Sequence, residues 1–283
     1  MAKRQAVIFV HGIGKQQSGY SHEARQAIEQ WIRSYLEKRV PQVEMEAFVF
    51  EEVLWSPVTD GVESELWYRL RRSADLDQKK LRRFVVEFLG DVLAYQPTAH
   101  SERSNAYVQI HEVLNDAVDR LEAENQSEGL ELTFVAHSLG SVVVSDFLYD
   151  HQQEFQAVNL FTLGSPLALW TLIHGDPDKA ACPARVAEPH GVWINILDDD
   201  DIVGYPLRGV NRHYRRAVHR DYVTEIGAPV LRHSVASHTA YWTDGNVVKP
   251  IARKLADDYL RLRRLKYPRR SAYLKFIDGL WNI

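Results

Sequence analysis

The stretch Leu132-Thr133-Phe134-Val135-Ala136-His137-Ser138-Leu139-Gly140-Ser141 decides the fold. An apolar, β-rich run ends at Ala136, a serine stands two residues on, and Val142, Val143, Val144, Phe147 and Leu148 continue as a helix-compatible run. Strand, tight turn and helix with serine at the apex make a nucleophile elbow. Such a turn holds the serine in a strained backbone, and crowding leaves room only for glycine or alanine two residues to either side. Those places are Ala136 and Gly140. The Leu139 N–H then lies at a helix N-terminus, where it is suited to stabilising an oxyanion.

Working outward, further apolar, β-branched runs are Ala6–Val10, Val43–Leu54, Val158–Leu163 and Val192–Leu197. Continuous runs of this kind fit strands buried on both faces of a mostly parallel sheet. Between them lie helical patterns at Ser21–Lys38 and Ser104–Glu124, and Val247, Val248, Ile251, Leu255, Tyr259 and Leu262 form one face of a last helix. Strand–helix–strand alternation predicts a single α/β domain over 1–283, a doubly wound sheet flanked by helices. Residues 56–103 interrupt the alternation as a helical insertion after the second strand. In it, Leu81, Phe84, Val85, Phe88, Leu89, Val92 and Leu93 form an apolar stripe at helical spacing. The stripe reads either as an extra helix packed on the body or as a cap or lid over a lipophilic site, able to touch a partner or a membrane.

A serine needs a base, and the base needs a carboxylate to orient it. Asp198-Asp199-Asp200-Asp201 follows the strand Val192–Leu197, at the edge where such sites form. Asp201, ahead of an apolar pair and Gly-Tyr-Pro, is the favoured acid, with Asp200 one register away. The alternating oxygen ligands and glycine of a calcium loop are missing from this run, so no metal is expected. The histidines after it are His213, His219, His233 and His238. His238, in Ser237-His238-Thr239-Ala240-Tyr241-Trp242 just before the last helix, is the expected base, and His233 is the fallback. His137 adjoins the serine, but neighbours on a tight turn point apart, so it reads as a pocket residue.

Near the N-terminus, Val7-Ile8-Phe9-Val10-His11-Gly12-Ile13-Gly14 is a strand running into His-Gly. The Ile13 N–H is the expected second oxyanion donor, with Gly12 and Gly14 letting the backbone approach the substrate and His11 expected beside them as a pocket residue. Lys15 invites comparison with a phosphate loop, but Gln16 follows it where Ser or Thr is required.

These pieces resemble the α/β-hydrolase superfamily, in its lipase-like and serine esterase-like branch. The matching motifs are Phe9 to Gly14, Ala136 to Gly140, Phe161-Thr162-Leu163-Gly164-Ser165-Pro166, Asp200 to Val203 and Ser237 to Trp242. The resemblance implies the α/β-hydrolase fold, a covalent acyl-serine mechanism and no cofactor. It also places Ser165 and Pro166 beside the acyl pocket. The expected activity is hydrolysis of a carboxylic ester, a small molecule or an acyl lipid, by Ser138, His238 and Asp201. Acyl transfer, thioester or amide cleavage by the same residues, or a non-catalytic binding protein on this fold, are the alternatives.

Composition limits the other classes. The 283 residues carry 34 basic and 38 acidic side chains, a net charge of −4, which does not suit a nucleic-acid partner. The one cysteine, Cys182, excludes an intrachain disulfide and a cysteine-based zinc site. No apolar run reaches the ~18 residues of a membrane span, and Ala6–Val10 is too short for a signal segment. A cytoplasmic protein is the expectation. Arg261, Arg263, Arg264, Lys266, Arg269 and Arg270 form a basic cluster, expected as a solvated face or as a contact to anionic lipid.

Overall fold

The computed structural model describes residues 2–59, 62–73, 79–96, 105–174, 184–227 and 238–280. Cys182 and His233 lie outside them. The strands are β1 (Arg4–Val10), β2 (Phe48–Val53), β3 (Leu130–His137), β4 (Asn159–Leu163), β5 (Val192–Leu197) and β6 (Arg220–Val223). They form a six-stranded sheet in the order β2-β1-β3-β4-β5-β6, and every pairing is parallel. The helices are α1 (His22–Leu36), α2 (Val62–Ser73), α3 (Lys79–Tyr95), α4 (Asn105–Glu124), α5 (Leu139–Asp150), α6 (Leu167–Trp170), α7 (Arg212–Ala217), α8 (Gly245–Leu262) and α9 (Arg270–Leu280). The chain winds outward from β1 to β2, returns past β1 to β3, and then continues the other way. That reversal leaves a crevice at the C-terminal ends of β1 and β3, the position where open parallel sheets bind ligands.

Each face of the sheet has its own core. On one, α1 buries Ala24, Ile28, Ile32 and Leu36, spaced four apart, against α8 and the strands. Burying each of the isoleucine and leucine side chains stabilises the fold by about 1.5–3 kcal/mol. On the other, Ile110, Leu114, Val118 and Leu121 of α4 pack with Val143, Phe147 and Leu148 of α5. Helix α8 also buries charge: Lys254 Nζ lies 2.5 Å from Asp258 Oδ2, and Asn159 of β4 donates to the same carboxylate at 2.9 Å.

Two strand expectations change. The second strand starts at Phe48, not Val43, and Met45–Ala47 is a single 3-10 turn. Its partner β1 pairs from Gln5↔Phe48 onward, so upstream residues have no ladder to join. Strand β6 was not anticipated: Arg220-Asp221-Tyr222-Val223 has no apolar run, and as an edge strand paired only to β5 it needs none.

Within the described residues the insertion is helical, as α2 and α3. Of its apolar stripe, Phe88 and Val92 are half-buried, Val85 and Leu89 are exposed and Leu93 is 67% exposed, while the side chains of Leu81 and Phe84 lie outside the described set. Tyr95, at the end of α3, is buried. The basic C-terminal cluster is only partly a solvated face: Arg261 pairs with Glu131, Arg263 with Glu44 and Arg270 with Glu188. Among the described residues, no helix is long and apolar enough to cross a membrane.

Candidate active site

The turn from β3 into α5 puts Ser138 at φ 52° and ψ −131°. Only Arg264 shares a positive φ among the described non-glycine residues, and a serine in that region is strained. The surroundings over-determine it. The Ser138 N–H donates to the Leu163 carbonyl at 2.9 Å, extending the sheet by one residue, and the Ser141 hydroxyl donates to the Ser138 carbonyl at 2.6 Å. Gly140 lies against β1, where a Cβ would come within 2.2 Å of the His11 carbonyl oxygen. Gly12 faces the serine itself, and a Cβ there would sit 2.6 Å from the Ser138 Cβ. Gly140 is thus required by the β1 backbone against it, and Gly12 by the Ser138 side chain.

The chain then brings together three distant side chains. His238 Nε2 lies 2.8 Å from Ser138 Oγ, and His238 Nδ1 lies 2.8 Å from Asp201 Oδ2. Asp201 also accepts the Val203 N–H at 2.9 Å and the Tyr241 hydroxyl at 2.8 Å. Burial works to raise the Asp201 pKa, but the hydrogen bond and charge of His238, with the Val203 N–H and Tyr241, outweigh it and hold the carboxyl below its ordinary range. Asp200 does not join the group, and its N–H donates to Asp198 Oδ1. Burial, with Asp199 contributing, raises Asp198 to about 6. Ser138 is 0% and His238 3% exposed.

Two further histidines support the backbone. His137 Nε2 donates to the His238 carbonyl at 2.6 Å, and burial, then the neighbouring His238, lowers its pKa to about 3. His11 is fully buried. Its Nδ1–H donates to the Gly12 carbonyl at 2.7 Å, and its Nε2 accepts the Trp55 and Ser56 N–H groups at 3.1 and 3.3 Å. Burial lowers its pKa to about 4, which keeps Nε2 free to accept. His11 therefore clamps the 11–14 loop to the chain after β2 and does not line the cleft.

A cleft of about 460 Å³ opens beside His238. Ile13 and Gly14 line it with His137 and Trp242, while Arg83 and Glu87 come from α3. Ser165 and Pro166 are not among its lining residues. The Ser165 hydroxyl lies 2.6 Å from that of Ser141, and Pro166 caps α6. Leu139 is the first residue of α5, whose opening N–H groups lack intrahelical acceptors.

Sequence reasoning missed three positions. Tyr241, three residues after His238, holds Asp201 and accepts the Asp198 N–H at 2.9 Å. Gly164, at φ 53°, lies against the Asp201 carboxylate, where a Cβ would come within 2.8 Å of Oδ2. Asp91 of α3, 1% exposed, accepts the Gly14 N–H at 3.0 Å. The first two stand in quoted motifs, but nothing local marks the third.

No protein-family model matches the chain, and no curated protein matches it. Among solved structures it is similar to phospholipase PlaB from Legionella pneumophila in complex with thio-NAD, at 13% identity and TM-score 0.41, over 99% of this chain and 62% of that one. A second structure of phospholipase PlaB from Legionella pneumophila gives 11% identity and TM-score 0.44, over 100% and 63%. An uncharacterized protein from Pseudomonas aeruginosa gives 10% and 0.35, over 99% and 53%. The chain therefore spans less than two thirds of the length of each. Likeness of this degree leaves the chemistry to be argued from the residues.

Proposed function

We propose that the protein is a serine hydrolase of the α/β-hydrolase type that cleaves carboxylic esters through an acyl-serine intermediate. The observation that carries this reading is the unbroken relay from Ser138 Oγ through both His238 nitrogens to Asp201, at 2.8 Å per link. In this mechanism Ser138 Oγ attacks the ester carbonyl while His238 Nε2 takes the hydroxyl proton. Asp201, held ionised, stabilises the imidazolium and fixes the ring through Nδ1–H. The Ile13 and Leu139 N–H groups receive the developing oxyanion, and donors of this kind are each worth ~10²–10³-fold. His238 then returns the proton to the departing alcohol, and water repeats the sequence to release the acid.

Ser138 is covered in this structure, so a substrate reaches it only as the groups over it give way. The cleft mixes Ile13 and Trp242 with Arg83 and Glu87, which suits an ester with an apolar and a polar part. A lipid surface as its source is supported by Val85, Leu89 and Leu93, exposed on the helix that lines the cleft.

Labelling with a fluorophosphonate probe tests the reading. Wild-type protein is expected to label, and Ser138→Ala is expected to lose both labelling and, on the order of 10⁶-fold, ester turnover. Labelling that persists in Ser138→Ala sinks the assignment. An ester panel offered in solution and in liposomes reads out the substrate's form.

A further inference from the structure

Far from Ser138, at the N-terminal edge of β5 and β6, lies a second cavity of about 300 Å³. It is lined by Arg185 and Glu188 from the chain leading to β5, by His213 and Arg216 of α7, and by His219. Two basic segments converge on it. One runs from Arg208 to Arg220, with five arginines, two histidines and no carboxylate. The other is the C-terminal cluster, whose Arg270 reaches Glu188 at 2.5 Å. In a chain of net charge −4 this is a local reversal of sign.

Several of these arginines are already engaged. Arg208 donates to the carbonyls of Arg215, Val218 and His219, closing the end of α7, and Arg220 pairs with Asp278. Arg185 and Arg216 are different: they line the cavity and have no carboxylate partner among the described residues. The one carboxylate in the lining, Glu188, is held by Arg270. His219 Nδ1 accepts the Trp193 N–H at 3.1 Å, so its proton sits on Nε2 as a donor, with Glu188 Oε1 at 3.8 Å, beyond hydrogen-bond reach. Burial and the charge of Arg270 lower the His219 pKa to about 4, which keeps the ring in that neutral tautomer.

We propose that this cavity binds a phosphate-bearing ligand, a phosphomonoester or diphosphate held by Arg185, Arg216 and the His219 Nε2–H. Guanidinium forks match phosphate oxygens two at a time and keep their charge at any working pH. Two of them facing a concavity present donors that a solvated convex surface would scatter. The volume is at the lower end for small-molecule sites, enough for a phosphate with a modest organic group. The proposal shares no residue with the Ser138 cleft and stands independently of it.

Calorimetric titration of the whole chain with inorganic pyrophosphate, at constant ionic strength, tests the site. Saturable binding is expected, weakened about tenfold or more by Arg185→Gln and by Arg216→Gln, because hydrogen bonds to charged groups are the strong ones. Arg33→Gln, on the outer face of α1, is expected to leave it unchanged. Ligand-free melts check that each variant folds, and Arg216→Lys, which keeps charge but loses the fork, replaces any variant that does not. No saturable binding, or equal weakening by Arg33→Gln, overturns the site. Glycerol 3-phosphate and vesicles containing phosphatidic acid then distinguish the source. Competition by the soluble ester alone identifies a free phosphate compound, whereas Arg216-dependent sedimentation with the vesicles identifies a lipid headgroup.

Discussion

The strand-end cluster and the helical insertion are held to the same molecule by different means. Around Ser138, Gly12, Gly140 and Gly164 bring backbone against backbone and against Asp201, and almost every polar group has a short hydrogen bond. The insertion instead leaves Leu66, Val85, Leu89 and Leu93 in solvent and reaches the 11–14 loop through the Asp91 carboxylate. The difference teaches where precision resides. Close packing fixes Ser138, His238 and Asp201 relative to one another, whereas a buried polar contact from Asp91 links a helix with exposed apolar residues to the loop proposed to hold the oxyanion.

The largest effect that could break this contrast lies within the cluster. Asp201→Asn is expected to cost about 10⁴-fold in kcat with the fold intact, because the amide favours the wrong His238 tautomer. Steady-state kinetics beside a melting curve would show it, and a loss under tenfold would remove Asp201 from the relay. Asp91→Ala tests the insertion's link. It is expected to lower kcat about 10–100-fold with little change in KM, since it shifts the loop and leaves the substrate's contacts in place. An unchanged kcat would mean that α3 only lines the cleft.

Stability against pH sharpens the comparison further. His11 and His137, with pKa lowered to about 4 and about 3, stay unprotonated in the folded chain, whereas the unfolded chain protonates them near the ordinary value of about 6.5. Their contribution is complete above that value and is lost as pH falls toward the folded values. His11 alone accounts for about 3 kcal/mol across that window. Urea unfolding at pH 7.5 and 5 is expected to show the loss, and pH-independent stability would contradict the buried neutral rings. The smallest effect belongs to Tyr241→Phe, which removes one hydrogen bond to Asp201. A drop of about tenfold or less in kcat is expected, with the acid limb of the pH–rate profile moved upward. An unmoved profile would leave Tyr241 a packing residue.

Much of this arrangement was legible along the chain, and what was hidden has physical reasons. Ser138 stands in a turn whose small neighbours lie two residues away, so its signal is local. Composition favoured Asp201 but left Asp200 open, since both follow the same strand; the turn brings the Asp201 carboxylate to His238 and the Asp200 N–H to the Asp198 carboxylate. His11 looked like a pocket residue because it stands in a His-Gly loop. Its acceptor nitrogen serves Trp55 and Ser56, more than forty residues on, and no spacing rule reaches that far. Strand β6 was invisible because an edge strand need not be apolar.

The sequence by itself determined the alternation of buried strands and amphipathic helices and the position of the elbow serine. These depend on hydrophobic period and on backbone freedom within a few residues. Tertiary structure alone decided which aspartate meets His238, which histidines serve the backbone, and that Asp91 holds Gly14. Such choices depend on which side chains from remote segments arrive at hydrogen-bond distance, and that is settled only once the sheet has closed its order and the loops above it have packed.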